Sequence, residues 1–156
     1  MATLPDIKFK ATKFGNQPIT ATVNGRLCHF KSKLEYRWAQ YLDFLKTIGE
    51  IKDFFYEFHT FRFSDDCKVK EYTPDFLVRL NDNEFEYHET KGMLSGYDTQ
   101  KFKAVWDERP YVKIVIIFAA KPKISSFKNN QLNRYCSRII VDANKLFKQV
   151  PHFDGR

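Results

Sequence analysis

Four residues in two short stretches could do chemistry together: Asp75 in "YTPDF" (72 to 76) and Glu89, Thr90 and Lys91 in "ETKG" (89 to 92). Side chains alternate along an extended chain, so Glu89 and Lys91 share one face, with Cα atoms roughly 6 to 7 Å apart. The segments "EYTPDFLVRL" and "EFEYHETKG" read as strands joined by "NDN", whose Asn and Asp suit a hairpin turn. With that turn centred on residue 82, Leu77 pairs near Tyr87 and Asp75 near Glu89. Two carboxylates and an ammonium then converge at one end of a hairpin. Carboxylates that close repel, and one pKa rises unless a cation sits between them. Mg²⁺ suits that role, since it takes oxygen ligands from one or two carboxylates, water and a phosphate. The Thr90 carbonyl offers one more oxygen. Lys91 could orient or deprotonate the attacking water, or stabilise the negative charge that grows on a phosphorane. The chemistry such a set performs is phosphodiester hydrolysis.

The elements that must hold these groups are legible in the pattern around them. Leu34, Trp38, Tyr41, Leu42, Leu45 and Ile48 recur at three- and four-residue steps, which predicts an amphipathic helix over about residues 32 to 48, stopped by Gly49. "IKDFFYEFHTFRF" (51 to 63) is aromatic in both phases and predicts a strand covered on both faces. Pro74 cannot donate to a ladder and marks a strand start, an edge or a bulge. A second helix is expected over about 98 to 108 and a buried strand at "VKIVIIFAAKP", followed by a polar loop around "SSFKNNQ". A short strand at "RIIV" and a last helix near "DANKLFKQV", with Asp142 as N-cap, complete an α/β sandwich. Residues 1 to 26 show little period and read as an irregular arm able to dock on or exchange with a partner. His88 falls out of phase with Glu89 and is expected to pack on the other side of the sheet.

Composition bounds the rest. A chain of 156 residues with 43% hydrophobic content and sixteen Phe can build one domain with a real core. The formal net charge is +7, and its distribution is uneven: residues 1 to 95 hold fourteen Lys and Arg against fourteen Asp and Glu, whereas residues 96 to 156 hold twelve against five. A basic second part attracts a phosphate backbone. Lys101, Lys103, Lys121 and Lys123, in segments that flank the motif, are the expected DNA-phosphate contacts. Cys28, Cys67 and Cys136 are odd in number and widely spaced, which argues against a disulfide framework or a structural zinc site and for free thiols. No window reaches the roughly 18 apolar residues of a membrane span, and no secretory leader is evident. A soluble, cytoplasmic protein is expected.

"TPDF" followed by "ETKG" resembles the signature of the PD-(D/E)xK nuclease superfamily, and within it the junction-resolving phage endonuclease I family. The likeness runs from "FKSKLEYRWAQYL" through "GYDTQKFKAVWDERPYVKIVIIFAAKPK", about residues 29 to 123. It implies a restriction-endonuclease-like core, a mixed central sheet flanked by helices; residues 124 to 156, read as a C-terminal strand and helix, lie beyond the likeness. It implies Mg²⁺, with Mn²⁺ able to substitute, bound by Asp75, Glu89 and Thr90, with Lys91 serving the attacking water. An acidic residue on the first helix completes that family's site, and Glu35 stands at the matching position. Glu35 also has a local reading, since "SKLE" forms a capping box in which Glu35 reaches back to the Ser32 N–H. The chain departs from endonuclease I in a longer segment between Asp75 and Glu89 and beyond about Lys123.

The expectation is therefore a Mg²⁺-dependent endodeoxyribonuclease, phage-encoded or otherwise, acting on branched or four-way junction DNA as a homodimer, since junction resolution needs two symmetric cuts. Two alternatives stand beside it. One is a duplex endonuclease of restriction or transposon-end-cleaving type, and the other a DNA-binding module without activity.

Overall fold

The computed structural model describes residues 17–151. Five strands form a mixed sheet: β3 (Asp53–Tyr56), β6 (Phe76–Arg79), β7 (Phe85–Lys91), β8 (Ile114–Phe118) and β9 (Arg138–Ile140), side by side in that order. β3, β6 and β7 pair antiparallel, whereas β7, β8 and β9 pair parallel. Parallel neighbours need a crossover, and α2 (Gly96–Glu108) and α3 (Ser126–Tyr135) supply it. The chain is a mixed α/β fold with a five-stranded sheet flanked by helices.

Alternation along β8 shows how the layers divide. Val115 and Ile117 pack with Trp38, Leu42 and Phe54 beneath α1 (Lys33–Thr47), together with Ala143 and Phe147 of α4 (Ala143–Phe147). Ile114, Ile116 and Phe118 pack with Phe102 and Val105 of α2 and Leu132 of α3. A continuous apolar run covered on both faces is what a central parallel strand requires.

Helix α1 forms where its period places it. The Ser32 hydroxyl accepts from the Glu35 N–H at 3.1 Å to cap the first turn. Gly49, at φ +82°, ends it in a Schellman motif: its N–H donates to the Lys46 carbonyl at 3.1 Å and the Glu50 N–H to the Leu45 carbonyl at 2.9 Å.

Three expectations need correction. The arm of residues 1 to 26 is not irregular where it is described, since β1 (Ile19–Val23) and β2 (Arg26–Phe30) form a hairpin over α1. Asn24 (φ +53°) and Gly25 (φ +71°) make its turn, and Asn-Gly is the pair that two left-handed positions favour. Exchange of the arm with a partner rests mainly on residues before 17 and lies outside the described residues. The strand expected over 51 to 63 breaks at Glu57, whose φ of +46° leaves the ladder, and resumes as β4 (Phe61–Arg62) paired with β5 (Glu71–Tyr72). The polar loop around "SSFKNNQ" is helix α3, capped by the Ser125 hydroxyl; it buries only Leu132 and so shows almost no apolar period. Asp142 does stand at the N-cap of α4, without a side-chain capping bond, and pairs with Lys145.

His88 turns away from Glu89 as expected. Its Nδ1 accepts from the Trp38 indole N–H at 3.1 Å, so its Nε2–H donates to Glu86, 3.0 Å away. Burial lowers the His88 pKa against the pull of Glu86, so the ring is neutral. Replacing Trp38 by Phe leaves His88 Nδ1 without a donor in the core. The expected cost is about 1–3 kcal/mol for the unpaired acceptor, read as a lower urea midpoint with an unchanged slope.

Candidate active site

The site lies where β6 begins and β7 ends. Phe76 and Val78 of β6 face α1, so Leu77 faces α2, and Asp75 continues that alternation one step beyond the strand. The observed register, Leu77↔Tyr87 and Phe76↔His88, is the one the turn at residue 82 predicts. It carries Asp75 to Glu89. The Asp75 N–H donates to Glu89 Oε2 at 3.2 Å, and Tyr72 donates its hydroxyl to the same oxygen at 2.8 Å. Pro74, which has no N–H to donate, lies between β5 and β6, and just before β6 the Asp75 N–H turns to a side chain. The Asp75 carbonyl instead accepts from the Glu57 N–H at 2.8 Å.

Asp75 is buried at 7% exposure and Glu89 at 5%, an uncommon place for two carboxylates. Asp75 Oδ2 accepts from the Thr90 N–H at 2.8 Å and its hydroxyl at 2.7 Å. Burial, then repulsion from Glu89 and from Glu35, pushes the Asp75 carboxyl well above its usual range in spite of those donors. Thr90 therefore serves Asp75 directly through its N–H. In an extended strand its carbonyl points to the same edge.

Glu35 reaches this end of the sheet from α1, on the opposite layer. Half of the capping box forms: Ser32 takes the Glu35 N–H, but the Glu35 carboxylate goes past the Ser32 N–H to the Lys31 N–H at 2.9 Å. The same oxygen, Oε2, accepts from the Tyr56 hydroxyl at 2.6 Å. Burial raises the Glu35 pKa, opposed by the Tyr56 and Lys31 donors. The capping and site readings of Glu35 are thus compatible in one side chain.

Lys91 stands between two carboxylates, with Nζ 3.1 Å from Glu89 Oε1 and 2.8 Å from Asp98 Oδ1. Burial alone would lower its pKa, but Glu89 and Asp98 outweigh burial and raise it. The group is an ammonium at neutral pH. Held so, it is placed to donate hydrogen bonds and positive charge.

Asp75 Oδ1 and Glu35 Oε1 accept no hydrogen bond from the described residues. Buried repelling carboxylates with open oxygens fit a hard divalent cation, which would relieve the strain of their shared charge. Among the described residues no three His, Cys, Asp or Glu side chains are gathered tightly enough to share one ion. A cation here would rest on two carboxylates, with water and substrate oxygens completing its shell, as Mg²⁺ commonly does. Neither a scan of known protein families nor a search of curated proteins finds a match. The geometry itself therefore carries the functional reading.

The expected DNA-binding lysines separate. Lys101 lies at the site, its Nζ 3.8 Å from Asp98 Oδ1 and over the rings of Tyr97 (5.0 Å) and Tyr72 (5.7 Å). Two residues along a helix turn about 200°, so Lys103 points elsewhere and pairs with Asp107. Because Lys91 pairs in register with Phe118, the chain leaving β8 with exposed Lys121 and Lys123 departs at the same end of the sheet as the site.

Sequence reasoning missed Lys31, Tyr56, Tyr72 and Asp98. Lys31 pairs with Glu57, and Glu35 and Asp75 also favour its charge. Tyr56 and Tyr72 sit in aromatic-rich segments where nothing distinguishes a hydroxyl with a carboxylate partner from packing. Asp98 had a signal: Ser95 and Asp98 have the spacing of a capping box, which starts α2 two residues before the expected position. The three thiols are free, and Cys136 is pushed up to about 12 by burial and by Glu89.

Proposed function

We propose that this protein is a divalent-metal-dependent endodeoxyribonuclease, with branched DNA such as a four-way junction as its preferred substrate. The observation that carries the reading is the buried convergence of Asp75 and Glu89, with Glu35 repelling Asp75 from the opposite layer and Lys91 on Glu89. A protein that only bound DNA would gain nothing from buried carboxylates that repel phosphate.

Bound between Asp75 and Glu89, Mg²⁺ would polarise the phosphoryl oxygens and favour ionisation of the attacking water. Glu35, with Oε1 open, takes part from the other side through water. Lys91 donates to the developing phosphorane charge or orients the incoming water from beside Glu89. Tyr72 and the Asp75 N–H fix one oxygen of Glu89, and Thr90 fixes one oxygen of Asp75, so the carboxylates are oriented before any ligand arrives. Lys101, Lys121 and Lys123 meet the DNA backbone, which makes affinity strongly salt-dependent. Two symmetric cuts on a junction call for a homodimer.

Supercoiled plasmid, linear duplex and a four-way junction, each incubated with protein in Mg²⁺, Mn²⁺ or EDTA, test this reading. The expected result is nicking in either metal and none in EDTA, with the junction cut at least about tenfold faster than linear duplex of equal length. Equal rates on junction and duplex would favour a duplex endonuclease, and cleavage of none would end the nuclease reading.

A further inference from the structure

We propose that Asp98 is a positioning residue for Lys91, fastening the lysine to the rigid start of helix α2 so that its ammonium is held at Glu89. The proposal rests on the nuclease reading for the role of Lys91, and on geometry alone for the contact.

The two oxygens of Asp98 have divided tasks. Oδ2 accepts from the Ser95 N–H at 2.8 Å and the Ser95 hydroxyl at 2.9 Å, while the Asp98 N–H donates back to Ser95 Oγ at 3.2 Å. That closes a capping box and fixes the carboxylate plane. Oδ1 takes no part in the cap. It lies 2.8 Å from Lys91 Nζ, closer than Glu89 Oε1 at 3.1 Å. An acid at the third position of a helix commonly serves the cap alone; here half of it is free of the cap and given to a lysine on the neighbouring strand.

Charge and burial agree with this division. Asp98 is 5% exposed, and a lone carboxylate buried to that degree is costly. Lys91 and Lys101 both face its Oδ1, while Glu89 and Asp98 both face Lys91. A lysine ammonium is a point charge on a flexible four-carbon stem and holds no orientation by itself. With Glu89 as sole partner it would swing about one oxygen; two partners from two elements define its place. Precision of that kind matters where a group must meet a reacting atom.

The test compares wild type with Asp98→Asn, which keeps shape and the cap oxygen, and with Ala104→Gly, which weakens α2 without touching Lys91. Steady-state cleavage of a four-way junction in Mg²⁺ is measured beside the NMR signal of the hydrogen-bonded Lys91 ammonium in protein without metal. Asp98→Asn is expected to lower kcat about 10- to 100-fold with KM within about twofold, and to broaden or lose the ammonium signal. Ala104→Gly is expected to keep both the signal and kcat within about threefold at a comparable loss of Tm. Equal falls in kcat for the two variants, or an unchanged ammonium signal in Asp98→Asn, would overturn the proposal. Should wild type cut no DNA, the nuclease reading fails by itself, and the ammonium signal still decides whether Asp98 holds Lys91.

Discussion

Replacing Glu89 by Gln is expected to reduce Mg²⁺-dependent cleavage by about 10³-fold or more while leaving the fold intact. Glu89 is the hub of the site: Oε2 takes the Tyr72 hydroxyl and the Asp75 N–H, and Oε1 takes Lys91. The amide can keep its own carbonyl oxygen toward Tyr72 and Asp75, so packing survives. Its NH₂ then confronts the Lys91 ammonium, and the negative charge that would hold a cation is gone. Several kcal/mol of transition-state stabilisation pass through such a group, at about 1.4 kcal/mol per tenfold in rate. DNA affinity in the absence of cleavage should be equal or higher, because a charge that repels phosphate has been removed. Single-turnover cleavage, circular dichroism and a DNA titration measure the three quantities. A variant cutting within threefold of wild type would remove Glu89 from the chemistry.

Asp75→Asn should separate stability from activity. In the unfolded chain an aspartate titrates near ~3.9, whereas burial, Glu89 and Glu35 together raise the folded value well above that. Between those two values the folded state binds more protons than the unfolded one, so its stability falls as pH rises from about 4 and the penalty is complete above the raised folded value. The amide carries no charge to bury, and its oxygen can still accept from Thr90. At pH 8 without metal, Asp75→Asn is expected to melt above wild type and to show a flatter dependence of Tm on pH. Mg²⁺ should raise the Tm of wild type and leave that of the variant unmoved, and cleavage should be lost. A variant melting below wild type at pH 8 would mean that the charged carboxylate is a net stabiliser, against the burial and repulsion described here.

Much of this arrangement was legible before any coordinates. The alternation of β7 and the centre of its turn gave the pairing of Leu77 with Tyr87, and hence of Asp75 with Glu89. Helix α1 could be read because its apolar stripe is long and its two ends carry Ser32 and Gly49. Other parts were hidden for physical reasons. Helix α3 packs on α2 and buries one leucine, which leaves no period to detect. Glu57 breaks a strand that looks continuous, because a left-handed backbone at a glutamate has no compositional sign. The β1–β2 hairpin was within reach through Asn24-Gly25. The partners of the carboxylates were not, since Tyr56 and Tyr72 meet Glu35 and Glu89 across separations of 21 and 17 residues.

The indole of Trp38, set on His88, gives the molecule an optical property of its own. Of the two tryptophans, Trp106 is 43% exposed and Trp38 only 1%. Their emission should therefore resolve into a red component that iodide quenches and a blue one that it does not reach. The blue component comes from α1 and, through His88, reports on the strand that carries Glu89, one residue from His88 and on its other face. Intrinsic fluorescence, with no label attached, can thus follow events on β7 from behind while the front of the sheet is left untouched.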